Sequence, residues 1–207
     1  MPRTPAQVAE DCIARSQAMS ACAKSQPPGA LHDDLLRMAL VMAVAALDSY
    51  LHALVLSRAT AVHRHRLHKK LMGMKLEFRH LVELSRSRLG KKKPFRPWVK
   101  VRSVLQDRLL TQTFQSAIQV ENALVMAGVT QCWKNVGEEM GETPDAIKRR
   151  LDRIGVRRNQ IVHEGDHRRM ERPQTVVLND VKIRRTREDL AWMEKLIRAF
   201  VAVATKP

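Results

Sequence analysis

Between residues 31 and 58 the chain carries an apolar face too broad to be left in water. Leu35, Leu36, Ala39, Leu40, Ala43, Val44, Leu47, Leu51, Leu54 and Val55 recur there at helical spacing. The small residues Ala39, Ala43, Ala45 and Ala46 let neighbouring helices approach closely, as the core of a bundle requires. Only 4% of the chain is aromatic, whereas Leu, Ala, Val and Met are plentiful, a composition that favours helix over sheet. The expectation is an all-α fold, a helical bundle of five to six principal helices. It forms one domain over residues 1–207, with the helical core at 30–204 and the N-terminal helix, 1–29, peripheral to it.

Local signals place the other helices. Residues 5–25 form an amphipathic helix with few large apolar residues, ended by Gln26-Pro27-Pro28-Gly29. A further helix fits Glu77–Leu89. Gln115 or Ser116 caps one that runs to Ala127 and stops at Gly128, and another spans Gln131 to Met140. Val176-Val177-Leu178 reads as a short extended piece. Thr186 caps the last helix, with Asp189 at its third position and Trp192, Leu196, Ile197, Phe200, Val201 and Val203 as its apolar face.

Lys and Arg total 37 against 21 acids, a formal charge of +16. That excess favours a polyanionic partner, whether RNA, DNA or an acidic protein. Two stretches concentrate it. In His63-Arg64-His65-Arg66-Leu67-His68-Lys69-Lys70, the histidines lack the Cys or acidic neighbours of a metal site. Arg64, Arg66, Lys69 and Lys70 are instead candidates for phosphate contact, with a merely solvated face as the other reading. In the loop Gly90-Lys91-Lys92-Lys93-Pro94-Phe95-Arg96-Pro97-Trp98, three lysines and an arginine accompany two aromatic rings. The lysines can meet a backbone and the rings stacked bases, or Phe95 and Trp98 can simply anchor the loop to the core.

Other classes are poorly supported. Cys12, Cys22 and Cys132 are scattered and odd in number, so no disulfide framework is implied, and a reducing cytoplasm fits. The N-terminus has no apolar core of a signal peptide, and the run Met38 to Leu47 is too short to span a bilayer. No GxxxxGK[ST], Gly-rich dinucleotide loop or HExxH occurs, and no cofactor or metal is expected.

The segment from Pro144 reads as one long helix with Thr143 as its N-cap. Ile147, Leu151, Ile154, Ile161 and Val162 mark a buried stripe, and Arg158 falls inside it. A guanidinium keeps its charge, so burying one needs a reason. His163 follows about 7.5 Å further along the axis and about 140° round the helix. One helix therefore does not point the two side chains at one atom. A second copy across a two-fold axis would bring both pairs into one cleft, which makes a homodimer the expectation, although a bend near Gly165 also alters the geometry. Asp48, beside the apolar face of 31–58, is either a structural carboxylate paired with some arginine or the ion-pair partner that holds Arg158.

The string Arg157-Arg158-Asn159-Gln160-Ile161-Val162-His163-Glu164-Gly165-Asp166 resembles the Arg-x(4–6)-His signature of the HEPN superfamily, in its RiboL-PSP-HEPN branch. Leu47-Asp48-Ser49-Tyr50-Leu51-His52 and Thr113-Phe114-Gln115-Ser116 resemble the early helix and the mid-chain segment of that branch, in the same order. The resemblance spans roughly residues 30 to 204. It implies a metal-independent endoribonuclease that leaves 2′,3′-cyclic phosphate ends, acting as a toxin, an anti-phage effector or an RNA-processing factor, with an antitoxin or activating protein among its partners. Arg158, Asn159 and His163 take the catalytic roles, and Asp48, Arg157, Glu164 and Asp166 support them. Histidine moves protons near neutrality, and arginine offers a planar donor fork to the non-bridging oxygens. Two readings compete. Val136 to Leu151, a short helix, a glycine turn and a basic helix, has the pattern of a DNA-binding helix-turn-helix. A catalytically inactive HEPN-like module that binds RNA or protein is the other.

Overall fold

α2 (Ala30–Ala59) is the helix on which most of the others pack. The structure, a computed structural model, describes residues 3–60, 69–73, 75, 77–80, 82, 85, 97–168 and 177–205. The apolar face expected of α2 is buried from Leu36 to Val55, with Leu35 half-exposed at its edge. Tyr50 lies in the same layer and donates its hydroxyl hydrogen to the carbonyl of Phe200 at 3.1 Å. α2 is long and apolar enough to cross a membrane, but it is mostly buried among its neighbours and serves as the core helix.

α1 (Pro5–Ser25) begins at Thr4, whose hydroxyl and the Gln7 side chain cap each other's backbone N–H groups. It is not peripheral. Ala9, Ile13 and Ala23 are buried against α2, and the buried Ser16 hydroxyl donates to the Ala39 carbonyl at 2.8 Å. Small side chains on both helices allow this contact, which the scarcity of large apolar residues had concealed.

One turn, α3 (Lys69–Met72), precedes α4 (Pro97–Leu110). Pro97 and Trp98 thus open a helix and do not belong to a loop; the rest of that basic loop, with Lys91, Lys92 and Lys93, lies outside the described residues, as do Arg64 and Arg66. α5 (Ala117–Met126) starts on a capping box made by Ser116 and Gln119 and ends before Gly128, whose φ is 81°. α6 (Cys132–Met140) and α7 (Pro144–His163) meet at Gly141, left-handed with φ 68°. Thr143 caps α7 through the Ala146 N–H and Pro144 fills its first turn, as expected.

α8 (Ile183–Thr205) starts earlier than its sequence suggests. The Thr186 N–H already donates to the Lys182 carbonyl at 2.9 Å, so Thr186 lies within the first turn. Asp189 is consequently not a capping residue. It is buried, and Arg150 and Arg153 from α7 both bond to it. Before α8, His167 and Leu178 form an antiparallel bridge, the extended piece expected near Val177.

Candidate functional site

The buried stripe of α7 consists of Ile147, Leu151, Ile154 and Gly155. Ile161 is partly buried, but Val162 is 43% exposed and leaves the stripe. Arg158 is half-buried at its edge. Its Nη1 donates to Asn159 Oδ1 at 3.1 Å and lies 3.4 Å from His163 Nε2. The expectation that one helix cannot bring these two side chains together is corrected. His163 is the last residue of α7, and the long arginine side chain runs along the helix to reach its ring. Arg158 and His163 therefore meet within one chain.

Arg158 also differs from its neighbours in what it lacks. Arg150 and Arg153 hold Asp189, and Arg157 holds Asp166, each as an ion pair. Arg158 pairs with no carboxylate among the described residues, and its buried Nε has no hydrogen-bond partner. With no carboxylate there to neutralise it, the guanidinium charge is available to an anion in the cleft that it lines.

That cleft has a volume of about 510 Å³ and is lined by Arg158, Asn159 and His163 on α7, facing Thr113, Gln115 and Ser116 at the entrance to α5. Two contacts fix the facing wall. Asp48 Oδ1 accepts from the Phe114 N–H at 2.6 Å, and Asp152 Oδ1 accepts from the Ala117 N–H at 2.7 Å. The His52 ring lies 4.6 Å from that of Phe114. Gly155 allows the approach: a Cβ there would sit 3.0 Å from the Gln115 carbonyl oxygen. Asp48 is thus not the partner of Arg158. Its carboxylate holds the loop across from Arg158, so two of the three stretches singled out in the sequence line the cleft and the third, through Asp48 and His52, holds its wall from behind. Asp152 and Gly155 escaped sequence reading because their role lies in spacing α7 from a loop far away in the chain; the pattern Ser116-x-x-Gln119 was the one local sign of the wall.

Arg157 and Asp166 lie elsewhere. Asp166 is 2% exposed, accepts from Arg37 Nε at 2.5 Å and from Arg157 Nη2 at 2.7 Å, and pairs with Arg157 Nη1 as well. The Asn179 amide donates to the same carboxylate at 3.1 Å. Burial pushes this carboxyl up, but the hydrogen bonds from Arg157, Arg37 and Asn179, with the charge of Arg157, hold it below the usual carboxylate value. The cluster pins the chain where it leaves α7, with Asp166 in the left-handed region at φ 58°. Asp166 bonds to Arg37, Arg157 and Asn179, with no contact to His163 among these. Glu164 is the residue at which α7 ends. Lys69 is exposed, and Lys70 donates to Asn122 Oδ1 at 2.5 Å.

The turn between α6 and α7 gives residues 132–163 the outline of a helix-turn-helix, yet Lys148, Arg150 and Arg153 of the second helix are engaged within the fold, while Arg149 is exposed. Arg150 and Arg153 hold Asp189, Arg150 also covers the Trp192 ring at 4.9 Å, and Lys148 covers Trp133 at 5.6 Å. Among the described residues, no group of His, Cys, Asp and Glu is arranged to hold a metal ion.

No curated protein and no solved structure matches the chain. The family model for RiboL-PSP-HEPN matches residues 10–205, nearly the whole chain and including all three of these stretches, and the chain belongs to that family.

Proposed function

We propose that the protein is a metal-independent endoribonuclease whose cleft is built from Arg158, Asn159 and His163. The observation that carries this reading is the position of an arginine, with no carboxylate partner among the described residues, 3.4 Å from a histidine ring nitrogen in an open cleft. Cleavage requires that the ribose 2′-OH lose a proton as its oxygen attacks the adjacent phosphorus. The bond from phosphorus to the 5′-oxygen then breaks, and that oxygen takes up a proton. The products are a 2′,3′-cyclic phosphate and a 5′-OH. His163 moves a proton, and Arg158 neutralises the charge that develops on the non-bridging oxygens. Asn159, bonded to Arg158, keeps the guanidinium aimed at the cleft.

One imidazole serves one of the two proton transfers at a time. A second copy of the chain, packed with its α7 end against the first, supplies the other. Ile118 on the cleft rim, 74% exposed, and Val162, 43% exposed, give that contact apolar surface. The biological setting that fits is a growth-arresting toxin, an anti-phage effector or an RNA-processing factor in the cytoplasm, with an inhibitory or activating protein partner.

Purified protein incubated with total RNA in excess EDTA tests the reading. Cleavage persists, the ends map as cyclic phosphates, and light scattering at micromolar concentration gives a dimer. A strict requirement for a divalent metal contradicts the mechanism, and a strict monomer that cleaves contradicts the paired arrangement.

A further inference from the structure

Arg157 and Arg158 are adjacent on α7 but face different grooves. Arg158 lines the cleft; Arg157 lines a second groove of about 420 Å³ between α7 and the chain leading into α8. Arg153, Arg168, Lys182 and Arg185 line it too, with Asp180 as an exposed carboxylate. Val156, 59% exposed, lines both grooves, so the two adjoin over a single side chain.

The cations of this second groove fall into two groups. Arg153 and Arg157 are spent on Asp189 and Asp166, and their bonds hold the walls together. Arg168, Lys182 and Arg185 are exposed, and their side chains bond to nothing among the described residues. Three cations around one groove, without a carboxylate partner among the described residues, repel each other. Lys182 and Arg185 stand at the start of α8, where the helix dipole adds further positive potential. The groove therefore suits a chain of anionic groups running past Val156 into the cleft.

Resting on the reading above, we propose that this groove is the track for the RNA strand on one side of the scissile bond, with Arg168, Lys182 and Arg185 contacting successive phosphates. The contacts are to backbone and are indifferent to sequence. The groove sets affinity and the minimum length of substrate, while the cleft sets the rate.

The test uses full-length protein, 2′-O-methyl RNA for binding and unmodified RNA for single-turnover cleavage. Changing Arg168, Lys182 and Arg185 together to Gln should weaken binding of an RNA of about twelve nucleotides roughly 10- to 100-fold at 0.15 M salt. The slope of log affinity against log salt should fall by about 2, from ~0.7 per lost phosphate contact. Cleavage at saturating RNA stays near the wild-type rate, and a trinucleotide that fills only the cleft is bound almost as before. Neutralising Arg15, Lys24 and Lys134 removes the same charge from other faces and should change binding far less. Asp180→Asn should tighten binding. The groove is refuted by wild-type affinity in the triple variant, including the case where that variant instead loses an acidic protein partner. Equal losses in the triple variant and the control refute it too, because only net charge is then at work. In those outcomes the wild type still cuts RNA, so the ribonuclease reading stands. Failure of the wild type to bind or cut any RNA overturns both.

Discussion

Four arginines within nine positions of α7 have different tasks, and their partners define them. Arg150 and Arg153 join α7 to α8, Arg157 joins it to the loop that follows, and Arg158 faces the cleft. The sequence singled out Arg158 because a guanidinium at the margin of an apolar stripe is costly without a reason. It did not name the partner of Arg157, since only the fold brings the Asp166 carboxylate to it. Asp48 shows the same limit. Its place beside the core face of α2 marked it as a carboxylate with work to do, but its partner, the Phe114 N–H, lies 66 positions away. Asp48→Ala leaves that N–H without its acceptor, at a cost of about 1–3 kcal/mol. The expected result is a lower Tm together with slower cleavage, whereas Arg158→Ala slows cleavage with little change in Tm. Asp48→Ala with wild-type cleavage would show that the loop keeps its place unaided.

At the scale of elements, what was legible was what short-range physics dictates. The spacing of leucine and alanine gave α2, Thr143-Pro144 gave the start of α7, and the start of α5 was placed at Gln115 or Ser116, of which Ser116 is the cap. The start of α8 was misread because Thr186 and Asp189 have the pattern of a cap, while the bonds of Asp189 to α7 are tertiary. Likewise Arg37 and Asp166 are 129 positions apart, and no local pattern announces that pair. The pair governs how α7 ends. Asp166→Asn preserves shape and tolerates the left-handed backbone, but it takes the carboxylate from Arg157 and leaves Arg37, which is 8% exposed, with Asp34 and the Asn179 carbonyl alone. Removing one partner of a buried pair costs about 3–5 kcal/mol when the other is left uncompensated, and the loss here is smaller because Asp34 remains. Because the folded carboxyl titrates below its unfolded value, its contribution is present above about pH 4. It is lost as the pH falls through the folded value. Denaturation should thus separate wild type from Asp166→Asn widely at pH 7 and less at pH 3. A gap that stays constant would mean that the charge on Asp166 contributes nothing.

At the scale of the molecule, the all-α fold followed from composition and from one helix that had to be surrounded. The site followed from three short stretches whose meeting the structure supplies. One geometric inference from the sequence was wrong in an instructive way. Helical angles describe where Cβ atoms point, and a long arginine side chain at a helix end is not bound by them. The case for a second copy consequently rests on the two proton transfers and the exposed Ile118 and Val162, and no longer on a separation between Arg158 and His163. The central claim is that His163 moves a proton during RNA cleavage. Single-turnover cleavage at saturating RNA, in EDTA, for wild type and His163→Ala tests it most directly. The account predicts a rate lower by about 10²–10⁴ with RNA affinity nearly unchanged. Cleavage by His163→Ala at the wild-type rate would contradict it.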